Sequence, residues 1–340
     1  MDDLLYMEVD LRKFAGNLRE IAKLSGKSVL PVIKSEAYRM GALAIARKIA
    51  DMGVGLVAVA DLKEALPLAR DFDFEILILN GARECEFPNL EVFPNLVLSV
   101  NSLREAESLI GYGFQRKVKV HMQIDTGMNR LGFSDFREYA RALELLLSGN
   151  FLPEGIYTHF TDSENAKIQL EKFLPYANHF PYEIIHTAAS SAYLSTDYGT
   201  HVRVGVDLYA QQRGNLKQIV KIACRPLAIR KLKKGEELGY DRAYAAERDE
   251  LIAVLPIGYY NGFRRSLGGF PVYANGKRYP TVGKVCMNHL FVRVDEEVNL
   301  DTEFIITSEE LPAGEIAEYL GTVAHEVLCM FRIDNIRYLK

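Results

Sequence analysis

Lys34 closes an apolar run, VLPVIK (29–34), and Tyr38 follows four residues later. A lysine at such a place is either a solvated strand end or a reagent. As a reagent, its neutral amine condenses with an aldehyde, and burial or a cationic neighbourhood lowers its pKa enough for that. Other reactive types stand at comparable places. Asp125 ends KVKVHMQID (117–125), and Arg130 follows in DTGMNRLGF. His159 ends LPEGIYTHF (152–160), His186 lies in YEIIHTAA (182–189), and Ser190 and Ser191 come just after. Arg203 precedes Gly205 in HVRVGVDLYA (201–210). Taken singly, each has an ordinary explanation: a solvated lysine, a hydrogen-bonded core histidine, half of an ion pair. Convergence is what would make them a site.

The elements that must bring them together are read from periodicity. From Lys27 to about Ala210 a short apolar run, a turn and an amphipathic pattern recur. The runs VLPVIK, GLVAVA (55–60), EILILNG (75–81), LVLSV (96–100) and the four above make eight strands. Between several lie helical patterns such as ALAIARKIADM, LKEALPLARDF, SLREAESLIGYG and FREYARALELLLSG, apolar on one face and charged on the other. Strands alternating with helices imply parallel pairing through right-handed crossovers, and strands buried on both faces are near-continuously apolar. Eight such units predict a closed (β/α)8 TIM-type barrel over residues 1–212, with an open doubly wound sheet as the alternative. In a barrel, reactive groups gather where strands end. That rule places Lys34, Asp125, Arg130, His159, His186, Ser190 and Arg203 on one rim.

After about residue 212 the texture changes to strands and turns, predicting a mainly β C-terminal domain over 213–340 with which the N-terminal strand packs. NGK (275–277) is a hairpin signal, because Asn-Gly supports the positive φ angles the turn needs. A short helix, GEIAEYLG, comes late.

On the barrel rim, backbone amides around Ser190 and Gly205 could hold a phosphate. A reactive lysine, a phosphate cradle and a partner for a ring nitrogen together describe a pyridoxal phosphate site.

Composition narrows the classes. The 340 residues are 49% hydrophobic, and the formal net charge is −4. That balance gives no bulk attraction to nucleic acid or an anionic membrane. No run of about 18 apolar residues is present, so no membrane span is expected. The start, MDDLLYMEVDLRKF, lacks a basic segment followed by an apolar one, so no signal peptide is expected. Cys85, Cys224, Cys286 and Cys329 lie far apart with no metal-ligand spacing. No metal site is expected, and a reducing cytoplasm is the expected location.

Over nearly its whole length the sequence resembles the alanine racemase family, fold type III of the pyridoxal phosphate enzymes. The family's VVKANAYGHG reads VIKSEAYRMG here (32–41), and its KxDTGMxRLGF reads QIDTGMNRLGF (123–133). GIYTHF, HTAASSA, VRVGVDLYA, GYDRAYAAERD, LPIGYYNGFRR, VGKVCMNH and AHEVLC follow in order. The resemblance implies a pyridoxal 5'-phosphate-dependent amino-acid racemase working as a cytoplasmic homodimer, with alanine as substrate and peptidoglycan precursor supply as the pathway. Lys34 would carry the cofactor. Tyr38, Ser190, Gly205 and Val206 would hold its phosphate, and Arg203 would face the pyridine nitrogen. His159 would lie beside the ring and His186 behind the arginine. Arg130 would reach the phenolic oxygen side and the substrate. Tyr240 would be the second catalytic residue and Tyr259 and Met287 would line the substrate pocket, all three from a second subunit.

Racemisation removes the Cα proton and returns one to the opposite face, so two acid/bases must flank it: Lys34 on one side, Tyr240 on the other. A tyrosine titrates near pH 10, so nearby cations, such as Arg203 through His186, would ease its proton loss. Guanidinium keeps its proton at working pH, so the ring nitrogen opposite Arg203 would stay unprotonated and the ring a weaker electron sink.

Several positions depart from the family pattern. Gln123 replaces a lysine that is often carbamylated, and the expectation is that its amide oxygen positions Arg130. Ala189 and Asn288 replace the usual asparagine and aspartate. His325 replaces a tyrosine that closes the substrate side and touches the phosphate. These changes keep serine or a larger, possibly basic, amino acid open as the substrate. A non-racemase pyridoxal phosphate-binding protein and a decarboxylase of the same fold type are further alternatives. The second domain and Tyr240 argue against the former, and the lack of the characteristic cysteine motif against the latter.

Overall fold

The computed structural model describes residues 4–210 and 214–340. They form two compact units. One comprises Leu18–Ala37 and Gly41–Asp207, the other Met1–Asn17, Tyr38–Met40 and Leu208–Lys340.

The first unit carries the eight parallel strands. With β1 at Leu5–Asp10 in the other unit, they are β2 (Ser28–Pro31), β3 (Leu56–Val59), β4 (Glu75–Ile78), β5 (Leu96–Val100), β6 (Val118–Gln123), β7 (Phe151–Tyr157), β8 (Ile184–His186) and β9 (His201–Val204). Their order is β2-β9-β8-β7-β6-β5-β4-β3, with all neighbouring pairs parallel. A single parallel bridge, Val32 to Ala58, brings the two ends together, so the barrel is nearly closed. The expected barrel is therefore observed, and the open sheet is not.

The helices form where the apolar spacing puts them, and side chains begin them. Asp61 accepts the amide of Glu64, Ser102 that of Glu105, and Asp135 those of Arg137 and Glu138, which caps the helices Leu62–Asp71, Leu103–Tyr112 and Phe136–Ser148. Inside the barrel, Leu30, Val32, Leu56, Ala58, Leu77 and Val97 make one buried apolar cluster. Each leucine and valine among them stabilises by about 1.5–3 kcal/mol relative to exposure.

The strand containing VLPVIK ends earlier than its apolar run. Lys34 lies beyond it, at the head of a helical turn, Lys34–Arg39. Ser35 to Arg39 all have positive φ, between 50° and 73°, so the turn is left-handed. For L-residues that handedness costs roughly 1–2 kcal/mol per residue, and tertiary contacts must offset it. Ala37 and Met40 are buried, Ala37 N–H donates to Ile33 O at 3.0 Å, and Gly41 N–H donates to Glu36 O at 2.9 Å.

The second unit is built on a nine-stranded sheet. β1 pairs antiparallel with Val220–Cys224 and parallel with Ile336–Leu339, which forms the sheet edge. The remaining pairs are antiparallel. The hairpin at NGK forms as read: Ala274 pairs with Lys277, with φ of 48° at Asn275 and 76° at Gly276. Helices Ala313–Leu320 and Ala324–Met330 complete this unit. Among the described residues no helix is long and apolar enough to cross a membrane.

Candidate active site

Lys34 sits just past the point where the barrel closes. Val32 N–H donates to Val204 O at 2.8 Å, and Ile33 N–H donates to Ala58 O at 2.9 Å. The chain entering Lys34 is thus held from both flanks, by β9 and by β3.

Opposite the apolar cluster, β6 to β9 line the barrel with polar groups at matched levels. Gln123 pairs in register with Tyr157, Tyr157 with His186, and His121 with Gly155. Arg203, in β9, is 3% exposed. Its Nη1 donates to His186 Nδ1 at 2.7 Å, and its Nη2 to His159 Nδ1 at 2.8 Å and to the Thr158 carbonyl at 3.1 Å. The guanidinium also lies 5.1 Å from the Tyr157 ring centre, in cation–π range. Among the described residues it has no carboxylate partner. Burial, and secondarily the charge of Arg130, push its pKa down to about 10, which still leaves it protonated at neutral pH.

The histidines around it are neutral. Burial, reinforced by Arg203, lowers His159 to about 3 and His186 well below its usual value. Burial lowers His121 to about 3 as well. The tautomers follow from the bonds. Because Arg203 donates to Nδ1 of both His159 and His186, each carries its proton on Nε2. His186 Nε2 then donates to His121 Nδ1 at 3.0 Å, and the proton of His121 sits on Nε2, which is buried with no partner among the described residues. Gly155 makes room for this chain, since a Cβ there would lie 2.6 Å from the His121 ring. His186, through which Arg203 was expected to ease proton loss at Tyr240, is thus a neutral ring.

The DTGMNRLGF loop folds for reasons visible in its residues. Asp125 accepts the amides of Gly127 and Asn129 at 2.8 and 3.0 Å. Gly132, at φ +113°, lets the loop return against β6; a Cβ there would lie 2.8 Å from Asp125 N and 2.9 Å from Gln123 O. Gln123 is buried and bridges: its Nε2 donates to the Leu131 carbonyl at 3.1 Å, while Tyr157 OH donates to its Oε1 at 2.6 Å. The amide oxygen thus serves Tyr157 rather than Arg130, and Gln123 holds the neighbouring Leu131 instead. Arg130 itself is exposed on this loop. Ser99 completes the network, 2.8 Å from Tyr157 OH.

Ser190 Oγ accepts the amides of Gly205 and Asp207 at 3.2 and 3.4 Å, so a hydroxyl and the backbone of the Val206–Leu208 turn meet there. Tyr38 belongs to the other unit, where its ring centre lies 4.7 Å from that of Tyr209.

That second unit also brings three turns together. Tyr259 N–H donates to Cys286 O at 3.1 Å and Tyr260 N–H to Met287 O at 3.0 Å. The approach needs Gly258, whose Cβ would lie 2.2 Å from Cys286 O. Lys284 pairs with Asp241, tying in the turn that starts with Tyr240. Tyr240, Tyr259 and Met287 are 67%, 43% and 53% exposed. His325 is exposed on the helix Ala324–Met330.

Residues 9–213 match the alanine racemase N-terminal domain and residues 219–338 the alanine racemase C-terminal domain. The chain belongs to the alanine racemase family. An alanine racemase from Staphylococcus saprophyticus is 31% identical over 95% of this chain and 91% of its own length. The solved alanine racemase of E. faecalis superposes with a TM-score of 0.90 at 27% identity, covering 98% of each chain. That of Bacillus anthracis, solved with bound L-Ala-P, gives 0.87 at 27% identity, covering 96% of this chain and 92% of its own. Members of the family are amino-acid racemases, and the fold here is theirs.

His121 and Tyr157 were missed in the sequence. Both sit inside strands that are buried on both faces around them and read as core, with no alternation to mark the inward side. Among the described residues no group of three or more His, Cys, Asp or Glu side chains could hold a metal ion.

Proposed function

We propose that the protein is a pyridoxal 5'-phosphate-dependent racemase that interconverts L- and D-alanine. The observation that carries this reading is Arg203: a buried guanidinium held by two neutral imidazoles and a carbonyl, with no carboxylate beside it among the described residues. Such a group suits an uncharged ring nitrogen as its further partner. The Ser190 hydroxyl, set against the backbone of the Val206–Leu208 turn, suits a phosphate, and Lys34 suits an aldehyde. The residues fit the cofactor.

Lys34 would hold the cofactor covalently, with Tyr38, Ser190, Gly205 and Val206 at its phosphate, His159 beside the ring and His186 fixing Arg203 from behind. Pyridoxal phosphate acidifies the α-proton of an amino acid joined to it by delocalising the electron pair left behind. This chain's residues then manage the protons. Lys34 Nζ takes or gives one on one face, and Tyr240 Oη serves the other. Arg203 keeps its own proton, so it does not hand one to the ring nitrogen and limits reaction at other ring-conjugated carbons. Arg130 orients the substrate carboxylate.

Tyr240, Tyr259 and Met287 would come from a second copy, and His325 would lie on the cofactor's phosphate side. The exposure of these three on one surface of the second unit supports a homodimer that shares its sites. A cytoplasmic location accords with four free cysteines.

A panel of L- and D-amino acids, assayed with purified protein and cofactor, tests the substrate. Alanine is expected to turn over fastest. Faster turnover of serine or a basic amino acid would replace alanine in this reading. Tyr240→Phe is expected to lose proton exchange on one face while keeping cofactor absorbance; unchanged rates in both directions would remove Tyr240 from the mechanism.

A further inference from the structure

Glu64 has no part in the site as described, yet it touches the segment that carries Lys34. It is the third residue of the helix Leu62–Asp71. A glutamate there commonly reaches back to the amide of the capping residue. This one reaches further. Its Oε2 accepts the amide of Ala60 at 2.9 Å, and its Oε1 accepts the amide of Ser35 at 2.7 Å. Ala60 directly follows β3, while Ser35 is the first left-handed residue after Lys34. One carboxylate therefore joins the end of β3 to the start of the turn, giving one oxygen to each.

The position of that bond matters. The Ser35 amide shares a peptide plane with the Lys34 carbonyl, so fixing its N–H fixes ψ at Lys34. The preceding amides, Val32 and Ile33, are already held by β9 and β3. Lys34 is thus a residue whose backbone is pinned on both sides, by barrel closure before it and by Glu64 after it. Without Glu64 the Ser35 N–H, at the head of a helical turn, loses its acceptor. The right-handed alternative, favoured by chirality, would turn the lysine elsewhere.

We propose that Glu64 is a positioning residue that holds the left-handed turn and so aims the Lys34 amine at the cofactor aldehyde. This rests on the reading of Lys34 as the cofactor lysine. The obvious competitor is a purely structural role in the helix, and Asp61 supplies the control. Asp61→Ala removes the cap of the same helix and leaves both Glu64 oxygens in place.

The test compares wild type, Glu64→Ala, Glu64→Gln and Asp61→Ala. Retention of pyridoxal phosphate is followed by absorbance and circular dichroism of the bound cofactor. Protection of the Ser35 amide is followed by hydrogen exchange. Glu64→Ala is expected to weaken cofactor retention roughly 10- to 100-fold, as loss of a charge-assisted hydrogen bond implies, and to expose the Ser35 amide. Glu64→Gln, which keeps one acceptor, should fall between, and it carries the comparison if the alanine variant does not fold. Asp61→Ala should lower melting temperature and leave cofactor signature and Ser35 protection unchanged. Glu64 variants with wild-type retention, or an Asp61→Ala loss equal to theirs, would overturn the proposal. Wild-type protein that attaches no cofactor at Lys34 would instead overturn the underlying reading, and this proposal with it.

Discussion

The barrel interior has two unlike halves. Along β2 to β5 it is filled by Leu30, Val32, Leu56, Ala58, Leu77 and Val97, a buried apolar cluster against which Leu79 and Ile184 pack. Along β6 to β9 the same depth holds His121, Gln123, Tyr157, His186 and Arg203, joined by hydrogen bonds from one strand to the next. Both halves are close-packed, but they are specified differently. An apolar half tolerates any filling of the right volume and shape. A buried polar half is constrained by its pairing, because each orphaned group costs its full desolvation; among the described residues His121 Nε2 is the one ring nitrogen of this half left in that state. The lesson is a division of labour within one barrel: one half supplies stability, the other a fixed cation and neutral imidazoles at the end where Lys34 emerges.

The polar half depends most heavily on Arg203. Arg203→Leu strands the Nδ1 atoms of His159 and His186 and the Thr158 carbonyl, about 1–3 kcal/mol for each acceptor. Urea unfolding is expected to show that loss together with loss of cofactor binding. The matched change in the other half is Leu77→Ala. It should cost about 2–5 kcal/mol through the cavity it leaves and keep cofactor affinity at the wild-type level. If Leu77→Ala released the cofactor as readily as Arg203→Leu, the two halves would not be functionally distinct.

Gln123→Leu sharpens the contrast on a smaller scale. It removes the acceptor of Tyr157 OH and the donor to the Leu131 carbonyl, about 1–3 kcal/mol of stability. Because Leu131 adjoins Arg130, KM for the amino acid should rise more than kcat falls. A change in kcat alone would argue that Gln123 does not steer the loop.

The mildest effect is on pH dependence. His121 and His159 are held at about 3 in the folded chain, against about 6.5 unfolded, and His186 is lowered too. The unfolded chain therefore binds more protons between these values. The stability from neutral burial is full above about pH 6.5 and falls as pH drops toward about 3, by up to about 1.4 kcal/mol per pH unit for each histidine. His121→Gln keeps an acceptor for His186 and cannot titrate, so the acid limb should become shallower by one such increment. An unchanged slope in stability measured against pH would remove His121 from the linkage.

The polar half was only partly legible in the sequence. Lys34, His159, His186 and Arg203 could be gathered on one rim because strand–helix alternation dictates which strand ends share a face. His121 and Tyr157 could not, since parallel strands are buried on both faces and give no alternation to mark the inward one. The left-handed turn was also hidden. Ser35, Glu36, Ala37, Tyr38 and Arg39 carry no glycine, and local propensity gives no reason for positive φ; the turn is met by a contact from far along the chain, the Glu64 carboxylate on the Ser35 amide. The β-rich half was legible where turn chemistry is strong, as at Asn275-Gly276. The clustering of Tyr240, Tyr259 and Met287 depends on a close approach at Gly258 that no local pattern announces.

Whether Lys34, at the closing point of the barrel, holds the cofactor is read by reducing the protein saturated with pyridoxal phosphate with borohydride and mapping the modified peptide by mass spectrometry. The account predicts a single phosphopyridoxyl-lysine, at Lys34, and none in Lys34→Ala. Modification at another lysine, or undiminished labelling of Lys34→Ala, would contradict it.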